Sequence, residues 1–322
     1  MNDLLSKEKL IQKFSHLGLI KGDTVFISSN IVALGKIAKA HHKYDYCEIY
    51  FKALMKVLGK AGTIVVPTYT SQVARNGEKF ILEKTKSHMG IFAEHIRTKE
   101  KSIRSVHPVN SVAAYGKNSS FICKNNSTSD FGSDSPFDRL SKLNCKLLSI
   151  GLTSRYSVNI LHYLEAMFCV PYRYNKLLDI KTFVQGKQDK RSFLINARYL
   201  DLKIKYDYSK WLLILYKNKK ISGTSAGKGL LFMTKFNDAL EIAKINMIND
   251  PYFFLKKKPN FIKGKIPYDG TTLKRENVIK KIAVKRIAKE NNKFLSLYMG
   301  HNINEITEED LILDQKIIKK HN

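Results

Sequence analysis

Long apolar runs, closely spaced cysteines, internal repeats and enough carboxylates to balance the bases are all missing from this sequence. No stretch approaches the roughly 20 apolar residues that a membrane-spanning helix requires. The opening "MNDLLSKEKLIQKFSHLG" reads as a charged amphipathic helix. It lacks the apolar core and small-residue cleavage site of a secretion signal. The expected location is the cytoplasm, without membrane insertion. Cys47, Cys123, Cys145 and Cys169 are scattered, with no zinc or redox spacing among them. A chain of this size needs no disulfide staples, so all four are expected to be reduced, Cys169 as a core residue at a helix end. A Gly-x-Ser-x-Gly elbow is also absent, which excludes the serine of an α/β-hydrolase. "SGTSAGKGL" mimics a phosphate-binding loop, but Ser222 stands where a glycine is required and Gly229 where a Ser or Thr is. It reads as a hairpin or loop.

What is present is a chain of 322 residues, 43% hydrophobic, enough for one large α/β domain with an appendage or for two domains. Lysine and arginine number 56 against 28 acidic residues, a formal net charge of +28. Such a charge fits either a lysine-rich composition or a nucleic-acid or membrane-surface partner, and it favours anionic ligands. Between residue 6 and about residue 165, helical periodicity alternates with short apolar strands such as "TVFISS", "TIVVP", "SVAAYG" and "KLLSIG". This predicts a central sheet, mixed and mostly parallel, covered by helices on both faces. "SVNILHYLEAMFCV" predicts a helix ended by Pro171. After Tyr174 the pattern shifts toward half-exposed strands, a smaller β-containing subregion over 174–254. Residues 1–254 are then expected to form the main domain, and 255–322 a basic C-terminal extension with a strong helix, "LKRENVIKKIAVKRIAKE".

Four stretches could carry chemistry. In "VFISSNIVALGKI" a strand opens into Ser28, Ser29 and Asn30, then Gly35 and Lys36, a turn whose N–H groups could hold an anion or oxyanion. In "VVPTYT", Thr68 and Thr70 flank Tyr69 beyond a strand end, where α/β sheets bind ligands. "SVHPVNSV" places His107 before a rigid Pro108 at a strand mouth, with Asn110 and Ser111 beside it. In "SVNILHYLEA", His162 and Glu165 share a helix face, as a base and its orienting partner would. The two could also join His107 around a metal, but the His-Glu-x-x-His signature is absent and no metal is expected.

In this order the segments "GDTVFISSNIVALG", "GTIVVPTYT", "MGIFAEHIRT", "RSVHPVNSVAAYG", "FGSDSPFDRL", "KLLSIG" and "SVNILHYLEA" resemble the antibiotic N-acetyltransferase family, which includes the aminoglycoside 3-N-acetyltransferases. The likeness spans about residues 6–254. It implies transfer of acetyl from acetyl-CoA to an amine. Carried over by position, Ser28, Ser29, Asn30, Leu34, Gly35, Lys36, Thr68, Thr70, Ser111 and Val112 would line the cofactor site. Tyr69 and Asn110 would face the substrate, and His107 and Glu165, with His162 nearby, would form the acid/base centre. Many members carry a second histidine where this chain has Asn110.

An amine acceptor arrives protonated, and an imidazole with a pKa near 6.5 suits its deprotonation. Glu165 would orient His107, and N–H groups of the Ser28–Asn30 turn would stabilise the oxyanion. Aminoglycosides are polycations that a chain of +28 would repel. The expected acceptor is therefore a nucleotide-linked amino sugar of surface polysaccharide synthesis, with an aminoglycoside as the alternative. Lys256–Lys258, Lys263 and Lys265 could contact its diphosphate. A nucleic-acid-binding module is the reading from another class. No recognition motif accompanies the lysines, so no specific nucleic acid is expected.

Overall fold

The computed structural model describes residues 4–199, 202, 204–261 and 308–321. The helix expected over 273–290, with Lys263 and Lys265, lies outside the described residues. In chain order the elements are α1 (Lys7–His16), β1 (Thr24–Ser29), α2 (Lys43–Leu58), β2 (Thr63–Pro67), α3 (Ser71–Asn76), β3 (Phe80–Ile81), α4 (Ile91–Thr98), β4 (Ile103–Arg104), β5 (Val112–Gly116), α5 (Ser119–Cys123), α6 (Pro136–Lys142), β6 (Lys146–Ile150) and α7 (Leu161–Met167). There follow β7 (Arg173–Leu178), β8 (Thr182–Val184), β9 (Lys187–Asp189), β10 (Phe193–Arg198), α8 (Ser209–Lys217), β11 (Ile221–Ala226), β12 (Gly229–Lys235), α9 (Phe236–Asn249) and α10 (Glu308–His321).

Seven strands form a mixed sheet in the order β11-β12-β6-β1-β2-β5-β4. The parallel pairings lie at its centre, β1 with β2 and with β6. The outer pairings are antiparallel. The central strands are apolar on both faces, as a doubly covered sheet demands. Val25 and Ile27 of β1 face one layer with Phe14, Tyr50 and Phe92 of α1, α2 and α4. Phe26 faces the other, which holds Phe137, Trp211, Phe236 and Ile317. That second layer also takes Leu311, Leu313 and Ile318 of α10, so the end of the chain completes the core. Asp314 of α10 accepts a hydrogen bond from the Ser154 amide at 3.2 Å.

"SGTSAGKGL" is the β11–β12 hairpin of this main sheet. The segment after Tyr174 also supplies the β7–β10 pair and the small β3-β8-β9 sheet. Helix α7 stops at Met167, and Cys169 is exposed with φ +47° in the turn toward Pro171, not in the core. The C-terminal ends of β1, β2 and β6, the start of β5 and the β11–β12 turn all meet at one end of the sheet. This is where α/β sheets place ligands. Among the described residues, no helix is long and apolar enough to cross a membrane.

Candidate active site

Beyond β6 the chain turns at Gly151 (φ +64°), where a Cβ would meet the Asn30 carbonyl oxygen at 2.2 Å. A short 3-10 turn, Ser154–Val158, then leads into α7. One helical turn apart on α7, His162 Nδ1 lies 2.7 Å from Glu165 Oε2. The carboxylate is fully buried, whereas the imidazole side chain is 40% exposed. Arg173, the first residue of β7, closes the cluster with Nε 2.6 Å from the same Oε2. Its Nη1 donates to the Asn196 carbonyl (2.6 Å) and its Nη2 to the Tyr206 hydroxyl (3.0 Å). The Nη2 atom also lies 2.7 Å from His162 Nδ1. Nδ1 cannot both give a proton to Glu165 and receive one from Arg173. With Glu165 ionised, the proton belongs on Nδ1 and the lone pair on Nε2.

Burial opposes charge on Glu165, but Arg173 and His162 outweigh it and hold the carboxyl below its ordinary range. Burial, then the Arg173 cation, push His162 below the usual histidine value, against the pull of Glu165. The pair therefore presents a neutral, half-exposed imidazole backed by a carboxylate, the requirement for a general base.

His107 is placed differently. Its Nδ1 accepts the main-chain N–H groups of Val109 (3.2 Å) and Asn110 (2.9 Å), and its Nε2 donates to the Leu194 carbonyl (3.0 Å). The ring packs edge-on against Phe193. Burial lowers its pKa to about 4. Both ring nitrogens are thus consumed by the main chain, and the expected hydrogen bond to Glu165 is not formed. Asn110 is half-buried and donates to Asp130 Oδ2 at 2.9 Å. Asp130 is buried, its pKa raised to about 6 by that burial despite hydrogen bonds from Asn110 and the Asn196 amide. Tyr69 sits half-buried nearby, its hydroxyl pKa pushed up by burial and then by Asp130.

The residues expected to line the cofactor site divide by accessibility. Thr68 and Ser111 bond each other at 2.9 Å and both meet Arg104, while Thr70 donates to the Pro108 carbonyl. All three are fully buried, as are Val112 and Leu34. Their hydroxyls brace strand ends, and no solvent-side donor remains for a ligand. Arg104 has lost proton affinity, to about 9, through burial and then Arg97. Ser28 is buried and accepts from Asn159 Nδ2 at 3.2 Å, tying β1 to the approach of α7. The Asn30 amide, expected as an oxyanion donor, instead donates to the Ile150 carbonyl at 2.8 Å. Ser29, Asn30 and Gly35 are half-buried and Lys36 is exposed, so these remain within reach of a bound molecule.

Arg173, Tyr206 and Asp130 were not singled out from the sequence. The signal available for Arg173 was a basic residue just past the helix-ending Pro171; the others carried none. A hollow of about 80 Å³ lies beside Tyr206, lined by Arg155, Asp207, Tyr208, Ser209, Lys256 and Asp310. A cavity of about 760 Å³ opens elsewhere, at the outer strand β4 beside Arg97, Arg104 and Arg191, away from His162. Among the described residues no group of three His, Cys, Asp or Glu side chains could hold a metal.

Residues 28–247 match the family described as aminoglycoside 3-N-acetyltransferase. A curated relative, aminoglycoside N(3)-acetyltransferase VII of Streptomyces paromomycinus, is 28% identical over 186 residues, 52% of this chain and 62% of that protein. The aminoglycoside acetyltransferase AAC-IIIb, solved with CoASH, shares the fold at TM-score 0.64 and 14% identity, covering 80% of this chain and all of that one. AAC-VIa bound to sisomicin does so at TM-score 0.63 and 19% identity, covering 76% and 97%. The family and its curated relative are named for aminoglycosides, not for nucleotide-linked amino sugars. This overturns the acceptor expected from net charge, because the field inside a pocket is set by nearby groups and screened beyond about 8–10 Å. By sequence and by fold, the chain belongs to the aminoglycoside 3-N-acetyltransferase family.

Proposed function

We propose that this protein transfers the acetyl group of acetyl-CoA to an amino group of an aminoglycoside, with His162 as general base and Glu165 as its orienting partner. The observation that carries this reading is the half-exposed imidazole bonded through Nδ1 to a fully buried carboxylate, at the end of the sheet where ligands gather. The family match and the CoASH and sisomicin complexes of similarly folded proteins support donor and acceptor. Nε2 of His162 takes a proton from the acceptor ammonium. The freed amine attacks the thioester carbon, a C–N bond forms, the C–S bond breaks, and the thiolate leaves, taking up the proton held by the imidazolium. The N-acyl ammonium then gives its second proton to solvent to become the neutral amide. Glu165 stabilises the imidazolium that forms between these steps. Ser29, Asn30, Gly35 and Lys36 are the reachable residues for the donor, and Tyr69 and Asn110 for the acceptor. His107 serves as a brace that shapes the Asn110 loop. The cytoplasm, where acetyl-CoA is available, is the compartment this reading requires.

The test is thiol release from acetyl-CoA with sisomicin as acceptor. His162→Ala should lower kcat by about 10²–10⁴-fold while the protein stays folded. In the wild type, kcat/KM should fall as pH drops through a midpoint below about 6.5, because the imidazole must be neutral to act and its environment disfavours the proton. Wild-type turnover by His162→Ala removes His162 from the mechanism.

A further inference from the structure

The catalytic pair stands on one helix, yet the group that fixes it comes from another element. We propose that Arg173 is a positioning residue of the catalytic pair, clamping the Glu165 carboxylate against His162 Nδ1 and tying both to the β7–β10 strands and Tyr206. This rests on the reading of His162 as the base. Its guanidinium fork reaches Glu165 Oε2 at 2.6 Å, the Asn196 carbonyl at 2.6 Å and the Tyr206 hydroxyl at 3.0 Å. The side chain is 7% exposed. Only a planar, permanently charged group with divergent donors can make these contacts at once. Asn196 in turn gives its amide to Asp130, and Phe131 packs its ring 5.9 Å from that of His162. The clamp is therefore continuous with the far wall of the site.

The arrangement has a consequence for the base. The groups that act on His162 are Glu165 on its own helix, Arg173 on β7, Arg198 on β10 and Tyr206, whose ring is 6.0 Å away. Glu165 favours the imidazolium, whereas Arg173 and Arg198 oppose it. Arg198 has an aromatic contact with Tyr206 but lies outside hydrogen-bond reach of the ring. Arg173 is the cation that touches it, and so the one whose charge most firmly keeps the base unprotonated near neutrality.

The measurement is the NMR titration midpoint of the His162 ring, assigned by difference from His162→Gln, with neither donor nor acceptor present. It therefore reads the clamp whether or not sisomicin is the acceptor, and a failed turnover assay leaves it intact. Arg173→Gln keeps a donor for the Asn196 carbonyl and removes the charge. Its midpoint should rise by about one pH unit or more, a tenfold gain in proton affinity. Arg173→Lys restores the charge without the fork. Its midpoint should stay within about half a unit of wild type while thiol release, to sisomicin or to water, slows about tenfold. A Gln midpoint that stays within about 0.3 unit of wild type overturns the proposal. If the Gln variant does not fold, wild-type thiol release by the Lys variant overturns it instead.

Discussion

The imidazole of His107 accepts two main-chain N–H groups on Nδ1 and gives its Nε2 proton to Leu194, an arrangement that only a neutral ring can make. Truncation to alanine would strand three main-chain groups, one of them buried and two partly so, and leave a hole beside Phe193. His107→Ala should therefore destabilise the fold by about 2–4 kcal/mol in denaturant melts at pH 7, with kcat of the folded fraction within a few-fold of wild type. The native ring resists protonation, with a pKa of about 4. The stability it supplies is present above the unfolded histidine value of about 6.5 and is lost as pH falls toward 4. The penalty for His107→Ala should shrink over that window, which a series of melts would show. The sequence could not separate the two histidines by role. His162 and Glu165 were legible as a pair because three residues on a helix is a local relation. The carbonyl that takes up His107 Nε2 lies 87 residues away, and Tyr206 lies 33 from Arg173. Contacts of that separation are made by topology and leave no mark in spacing.

At the level of elements, the turn over Asn30–Gly35 is held from outside. Gly227, in the β11–β12 turn, has φ +58°, and a Cβ there would sit 2.2 Å from the Leu34 carbonyl oxygen. The next amide, Lys228, donates to that same oxygen at 2.9 Å. A glycine is thus required twice over, for its left-handed backbone and for the close approach. Gly227→Ala should cost roughly 2–4 kcal/mol of stability and raise the KM for acetyl-CoA more than it lowers kcat, as steady-state kinetics would show. The strands and flanking helices of the first half were legible because apolar runs of strand length alternate with helical periodicity. The second half was harder. "KRSFLINARYLDLKIKYDY" alternates polar and apolar residues and reads as half-exposed strand throughout. Strand β10 instead ends at Arg198, and α8 buries Trp211, Leu212 and Leu215 at helical spacing. The three-residue strands β8 and β9 are too short to show any period.

On the scale of the whole molecule, two features of the sequence pull in different directions. The last helix buries Leu311, Leu313, Ile317 and Ile318, although its flanking composition reads as a solvated basic tail. Its apolar positions find a partner only because β11, α8 and the 3-10 turn before α7 converge there. The net charge of +28 is the other feature, and it is a property of the surface as a whole. It repels a polycation at long range and attracts the phosphates of acetyl-CoA, whatever the geometry near His162. Both effects decay within a Debye length, about 14 Å at 50 mM salt and about 6 Å at 300 mM. Raising salt across that range should increase kcat/KM for sisomicin while raising the KM for acetyl-CoA. Initial rates at fixed pH with each substrate varied in turn would measure both. A sisomicin kcat/KM that instead falls with salt would mean that carboxylates at the pocket mouth govern its approach, against the sign of the molecule's overall field.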